Sequence, residues 1–139
     1  MSEGIKNLGF KEILDKSAKS AVLAKIGGAS ASQISNLLSV LEAERGEDAV
    51  YLLIAYIARQ TKRGEISEAF ARDIIGNLQQ FLSLKKSSET IVETVRQYLG
   101  LIKWIFDSMR DIRDRRQIRH VNNFEEFINE VFLPNLRSR

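Results

Sequence analysis

Apolar residues recur every three or four positions along almost the whole chain, and no stretch alternates apolar and polar in the manner of a half-buried strand. The spacing predicts six helices, at about 8–26, 31–45, 47–63, 66–84, 88–119 and 123–136. They imply an all-α, single-domain helical bundle over residues 1–139, with one long helix in the C-terminal half. In the first helix Phe10, Ile13, Leu14, Ala18, Ala21, Val22 and Ile26 share a face, and Gly27-Gly28 stops it, since glycine takes the left-handed conformation of a helix end. Ser30 or Ser32 can cap the second, whose stripe is Ile34, Leu37, Leu38 and Leu41. The middle of the third, AVYLLIAYIA, is apolar all round, which places it at the centre of the bundle with Tyr51 and Tyr56 mostly buried. The fourth turns Phe70, Ile74, Leu78, Phe81 and Leu82 inward. The sixth opens on Asn123-Phe-Glu-Glu126, the spacing of a capping box, and carries Phe124, Phe127, Ile128 and Val131.

The fifth helix breaks its own pattern. Val92, Val95, Leu99, Ile102, Phe106 and Met109 alternate spacings of three and four and so form one seam. The next positions in that rhythm are Arg113, Arg116 and His120. One reading is that the helix outruns the bundle and ends in solvent, where arginines suit the helix dipole. The other is a phosphate-binding ridge of Arg113, Arg116 and Arg119, with Lys103 and Arg110 nearby, because the guanidinium fork matches phosphate oxygens. Arg59, Lys62 and Arg63 make a second basic cluster at the end of the third helix, open to the same two readings. Trp104 lies roughly opposite the seam, with Leu101 and Ile105 between. The commoner arrangement for such a residue is burial within its own chain, and the alternative is a partner surface.

Composition narrows the field. Hydrophobic residues make up 44% and charged residues 28%, values of an ordinary globular protein. There is no cysteine, which excludes disulfides, thiolate zinc sites and cysteine nucleophiles and fits a reducing compartment. The start, MSEGIKNLGF, lacks the apolar segment of a signal peptide, so a cytoplasmic protein is expected. The longest apolar run, Ala49 to Ala58, is half of the roughly 20 residues a bilayer span needs, so no membrane partner is expected. Net charge is +3, from 21 Lys+Arg against 18 Asp+Glu, which permits contact with nucleic acid without demanding it.

No phosphate-cradling glycine loop is present, and a single histidine excludes two-histidine metal sites, so no cofactor is expected. Ser30 and Ser32 have no base partner nearer in sequence than His120, which makes a serine triad a poor fit. Arg115 and His120 form an R-x4-H pattern that resembles the motif of HEPN-type ribonucleases, small all-helical proteins that are usually dimeric. That resemblance implies an arginine stabilising charge on the scissile phosphate and a histidine moving a proton. The residue after the arginine is Arg116, where the family has a polar residue.

Residues 31–60, ASQISNLLSVLEAERGEDAVYLLIAYIARQ, are similar in rhythm to the small subunits of type III CRISPR–Cas effector complexes. The shared features are a Gln-Ile helix start (Ser32, Gln33, Ile34) and a hydrophobic helix with Ala55, Tyr56 and Arg59. The resemblance, which extends to related type I small subunits, implies a non-catalytic subunit in several copies beside a guide–target duplex. It implies contacts with RNA or DNA backbone through basic helical surfaces, and with other protein subunits. A helical adaptor that binds protein alone is the third class left open.

Overall fold

The structure, a computed structural model, describes residues 8–136. The stretch read above as lacking a signal peptide lies, up to residue 7, outside the described residues. Five regular helices come first: α1 (Phe10–Ile26), α2 (Ala31–Leu41), α3 (Glu47–Lys62), α4 (Glu68–Leu82) and α5 (Ser88–Ser108). A 3-10 turn, Arg115–Gln117, follows. Then α6 (Phe124–Glu126) continues unbroken into a π-helical turn, Phe127–Phe132, and a 3-10 turn, Leu133–Asn135. No strand occurs among the described residues, and the buried apolar side chains form one contiguous core. No described helix is long and apolar enough to cross a membrane.

The centre of the bundle is α5, which touches each of the four helices before it and packs most extensively on α1. Ser17 Oγ donates to the Tyr98 carbonyl (3.2 Å), and Lys25 Nζ sits 5.7 Å above the Phe106 ring. In both pairs the α5 residue comes 81 positions later, so α1 and α5 run parallel. At mid-height Tyr98 is fully buried. Its hydroxyl meets Ser20 Oγ at 2.6 Å and accepts from Asn77 Nδ2 at 2.9 Å, while Ser20 Oγ also contacts Asp73 Oδ2 at 2.6 Å. Burial drives the Tyr98 hydroxyl well above its ordinary titration range. No buried side-chain polar atom among the described residues lacks a partner, so this cluster satisfies the demand that buried polar groups be paired.

The expectation that α3 is central is corrected. Only Ala49, Val50, Leu53 and Ile57 of it are buried, whereas Tyr51 is 57% exposed, Leu52 42% exposed and Tyr56 half-buried. Ten apolar residues in a row contain one strong stripe at helical spacing, and α2, α4 and α5 cover that stripe alone. Trp104 is corrected likewise: it is 76% exposed on the outer face of α5.

The fifth helix stops at Ser108 and not near 119. A continuous helix would turn Ile118 and Val121 to the side opposite Ile105 and Ile112. Unwinding buries Ile112, Ile118 and Val121 together, at 8%, 6% and 2% exposure. Each such side chain contributes roughly 1.5–3 kcal/mol on burial. Extending an exposed helix contributes about 0.3 kcal/mol per residue at best, so burial wins. Ser108 Oγ bonds the Ile105 carbonyl and the Asp114 carboxylate accepts from Arg116 N, both local bonds that compete with helix. The chain then returns along α1, where Phe124 N donates to Asp15 Oδ1 at 2.9 Å. Asn123 caps α6 by accepting from Glu126 N at 2.8 Å, and Glu126 reaches back to the amide of Asn122. α2 is also shorter than the spacing predicts, ending at Leu41 and not near 45.

Candidate nucleic-acid interface

Three contacts gather the basic residues at one end of the bundle. Arg115 Nη1 donates to the Ile26 carbonyl at 3.1 Å and covers Gly28, whose φ is +84. A Cβ at Gly27 would collide with Ser67 Oγ, so only glycine lets α1 end against the start of α4. Gln33 Nε2 donates to the Glu65 carbonyl at 2.8 Å, which ties the start of α2 to the α3–α4 turn. The C-termini of α1 and α3, the N-termini of α2 and α4 and the segment after α5 therefore share this end. The two basic clusters, more than 40 positions apart in sequence, come to it together.

Arg59 and Lys62 occupy the last turn of α3 and Arg63 caps it, all three exposed. Arg110 follows the end of α5, and Arg113 and Arg119 stand exposed on either side of the 3-10 turn. These six cations make no ion pair with any described residue. Arg116 is exposed too, but it grips the Asp114 carboxylate with Nε at 3.0 Å and Nη2 at 3.2 Å. That grip holds Asp114 below the usual carboxylate range. Lys103 departs from the expectation. It lies on the flank of α5, before the basic end, and pairs with Asp107 at 3.2 Å.

The seam reading needs a geometric correction. Arg113, Arg116 and His120 do not continue a helical face, because α5 has ended before them. They are exposed on an irregular segment that Ile112, Ile118 and Val121 pin to the core. The out-of-rhythm isoleucines and valine are the sequence signal that marks the break. Pattern reading missed Lys25, whose ammonium over Phe106 adds positive charge near the same end, and read Arg115 as half of an R-x4-H pair where it works as a helix cap. In the R-x4-H pair, Arg115 is turned back onto α1 while His120 is exposed on the following stretch, and the two share no helix. No group of three or more His, Asp or Glu among the described residues could hold a metal ion.

The opposite end is different in kind. There Arg96 donates Nε to Glu42 at 2.7 Å and also pairs with Glu93, and Ser88 Oγ bonds Glu47 Oε1 at 3.0 Å. The Arg96 guanidinium holds the Glu42 carboxyl below its ordinary value. The architecture is thus an all-α bundle around a central α5, in which ion pairs join helices at one end, where Arg45, Lys85 and Lys86 make none with a described residue, while six exposed cations without such a pair gather at the other. Comparison with models of protein families, with curated proteins and with solved structures finds no match.

Proposed function

We propose that this chain is a non-catalytic subunit that holds the sugar-phosphate backbone of nucleic acid against its basic end. The observation that carries the reading is the convergence of Arg59, Lys62, Arg63, Arg110, Arg113 and Arg119 on that end without ion-pair partners among the described residues. Solvated Arg and Lys side chains that meet phosphates displace the counterions condensed on the nucleic acid, which makes binding favourable and independent of base sequence. The rhythm of residues 31–60 supports placing such a subunit in a CRISPR interference complex, beside RNA or DNA and other protein subunits. Arg115 is engaged as a helix cap, which favours binding over the HEPN-type ribonuclease reading.

The test is binding of labelled single-stranded RNA homopolymers across a salt series. Affinities for different homopolymers should agree within a few-fold. Log K should fall with log salt at a slope of about −2 to −4, the mark of roughly three to six phosphate contacts on a single strand. Absence of binding at low salt contradicts the reading and favours a protein-only adaptor. RNA cleavage that disappears in His120→Ala replaces it with a ribonuclease.

A further inference from the structure

The exposed side of α3 carries a groove that shares with the proposed nucleic-acid surface only Lys62. Tyr51, Ala55, Ala58 and Lys62 follow one another at spacings of four, three and four, so they form one outward stripe. Tyr51 is 57% exposed, and Leu52 beside it 42%. Between the last turns of α3, Ala58 to Lys62, and α4 runs an open groove of about 680 Å³. Ala58, Ala71, Ile75 and Gly76 line it, and a Cβ added at Gly76 would meet nothing within 4 Å.

We infer that this groove receives an amphipathic helix from a partner protein, one whose apolar ridge is flanked by acidic residues. The α4 wall of the groove, from Glu68 to Gln79, is about 16 Å long, at 1.5 Å per residue, enough to seat three turns of helix. Small side chains along the groove let a second backbone approach to the 8–10 Å spacing of packed helices. The charge of the rim selects the partner. Lys62 and Arg72 line the groove, neither makes an ion pair with a described residue, and Glu68 is the one carboxylate beside them. Acidic flanks on the incoming helix would meet these cations, while its ridge covers Ile75 and the alanines. A nucleic-acid strand would gain little from Ala58, Ala71, Ile75 and Gly76, which distinguish this surface from the basic end it meets at Lys62.

The inference does not depend on the proposed function, and its test uses Gly76 and Arg72, which have no part in that reading. The full chain is titrated with a fluorescent peptide of about 20 residues, built as a leucine ridge with glutamate flanks. A second peptide keeps the ridge and carries lysine flanks. The glutamate peptide should bind, and the lysine peptide should bind at least about tenfold more weakly. Gly76→Leu fills the groove while adding helix propensity to α4, so the protein should stay folded and lose the peptide by about tenfold or more. Arg72→Glu should weaken the glutamate peptide several-fold and favour the lysine one. RNA binding should be unchanged in both variants.

Equal binding of the peptide to wild type and Gly76→Leu overturns the inference, as does equal affinity for the two peptides or no binding up to about 1 mM. If the chain's own mass rises with concentration and Gly76→Leu abolishes the rise, the occupant is a second copy and the inference fails. If either variant weakens RNA, the groove belongs to nucleic acid and the inference likewise fails.

Discussion

The two ends of this bundle are built by the same helices and differ in how far their charges tie those helices together. At the end where α3 and α5 begin, charges face one another: Arg96 is held by Glu42 and Glu93, and Glu47 accepts from Ser88. These contacts join α2, α3 and α5. At the end where α1, α3 and α5 finish, most cations face solvent, while Arg115 bonds the Ile26 carbonyl, Lys25 sits over Phe106 and Arg116 holds Asp114. Exposed ion pairs contribute little to stability, a median of about 0–1 kcal/mol. Neither end is therefore maintained by electrostatics alone. The difference lies in number: three exposed cations at the first end, Arg45, Lys85 and Lys86, make no ion pair with a described residue, against six at the second.

The largest effect that can break this comparison is a matched pair of charge reversals. Arg110→Glu with Arg113→Glu changes the net charge as much as Lys85→Glu with Lys86→Glu does. The first pair should weaken single-stranded RNA binding by about a hundredfold at 100 mM salt, and the second by less than about threefold. Equal losses would mean that net charge, and not the basic end, attracts the nucleic acid.

Next in size is the cap. Arg115→Ala removes the charged donor from the Ile26 carbonyl at a partly solvated helix end, and should cost about 1–2 kcal/mol in a denaturant melt. RNA affinity should change by less than about threefold, because this guanidinium is already engaged. A large loss of affinity with no loss of stability would put Arg115 among the phosphate contacts and reopen the HEPN-type reading with His120.

A smaller effect belongs to the paired end. Arg96→Met should cost less than about 1 kcal/mol at pH 7, given the exposure of both partners. The Glu42 carboxyl sits below its ordinary range in the folded protein, so its contribution is present above the unfolded value. That contribution disappears as the pH falls through the depressed folded value, so wild type and Arg96→Met should converge in stability only once the pH is below it. The smallest effect is at Trp104. Its ring is exposed, so Trp104→Ala should change stability by no more than about 0.5 kcal/mol.

Much of this arrangement is legible in the sequence because it depends on local periodicity. The all-α class and the starts of α2 and α5 follow from apolar spacing and from serines that can cap, Ser30 and Ser87, whereas the cap of α4, Ser67, is seen only in the structure. Two misreadings share a cause, which is that a one-dimensional rhythm does not say how many faces of a helix will be covered. For α3 an apolar run looks central, yet Tyr51, Leu52 and Ala58 face outward because only one side meets neighbours. For α5 a regular seam extends on paper to His120, while the competing demand to bury Ile118 and Val121 unwinds the chain after Ser108. The basic residues themselves are visible in the sequence. Their meeting is not, since it rests on Gly27 passing Ser67 and on Arg115 reaching Ile26, contacts between distant segments that no spacing encodes. The Ser20–Tyr98–Asn77–Asp73 cluster was equally hidden, as isolated polar residues on otherwise apolar faces.

The central claim, that unpaired arginines at one end read phosphate backbone, is tested most directly by the salt dependence of RNA binding in Arg110→Ala, Arg113→Ala, Arg119→Ala. If each of the three meets a phosphate, the slope of log K against log salt should become shallower by about 2 units, at roughly 0.7 per lost contact on a single strand. The melting temperature should stay close to that of wild type. An unchanged slope, or a slope lost only together with the fold, would contradict the account.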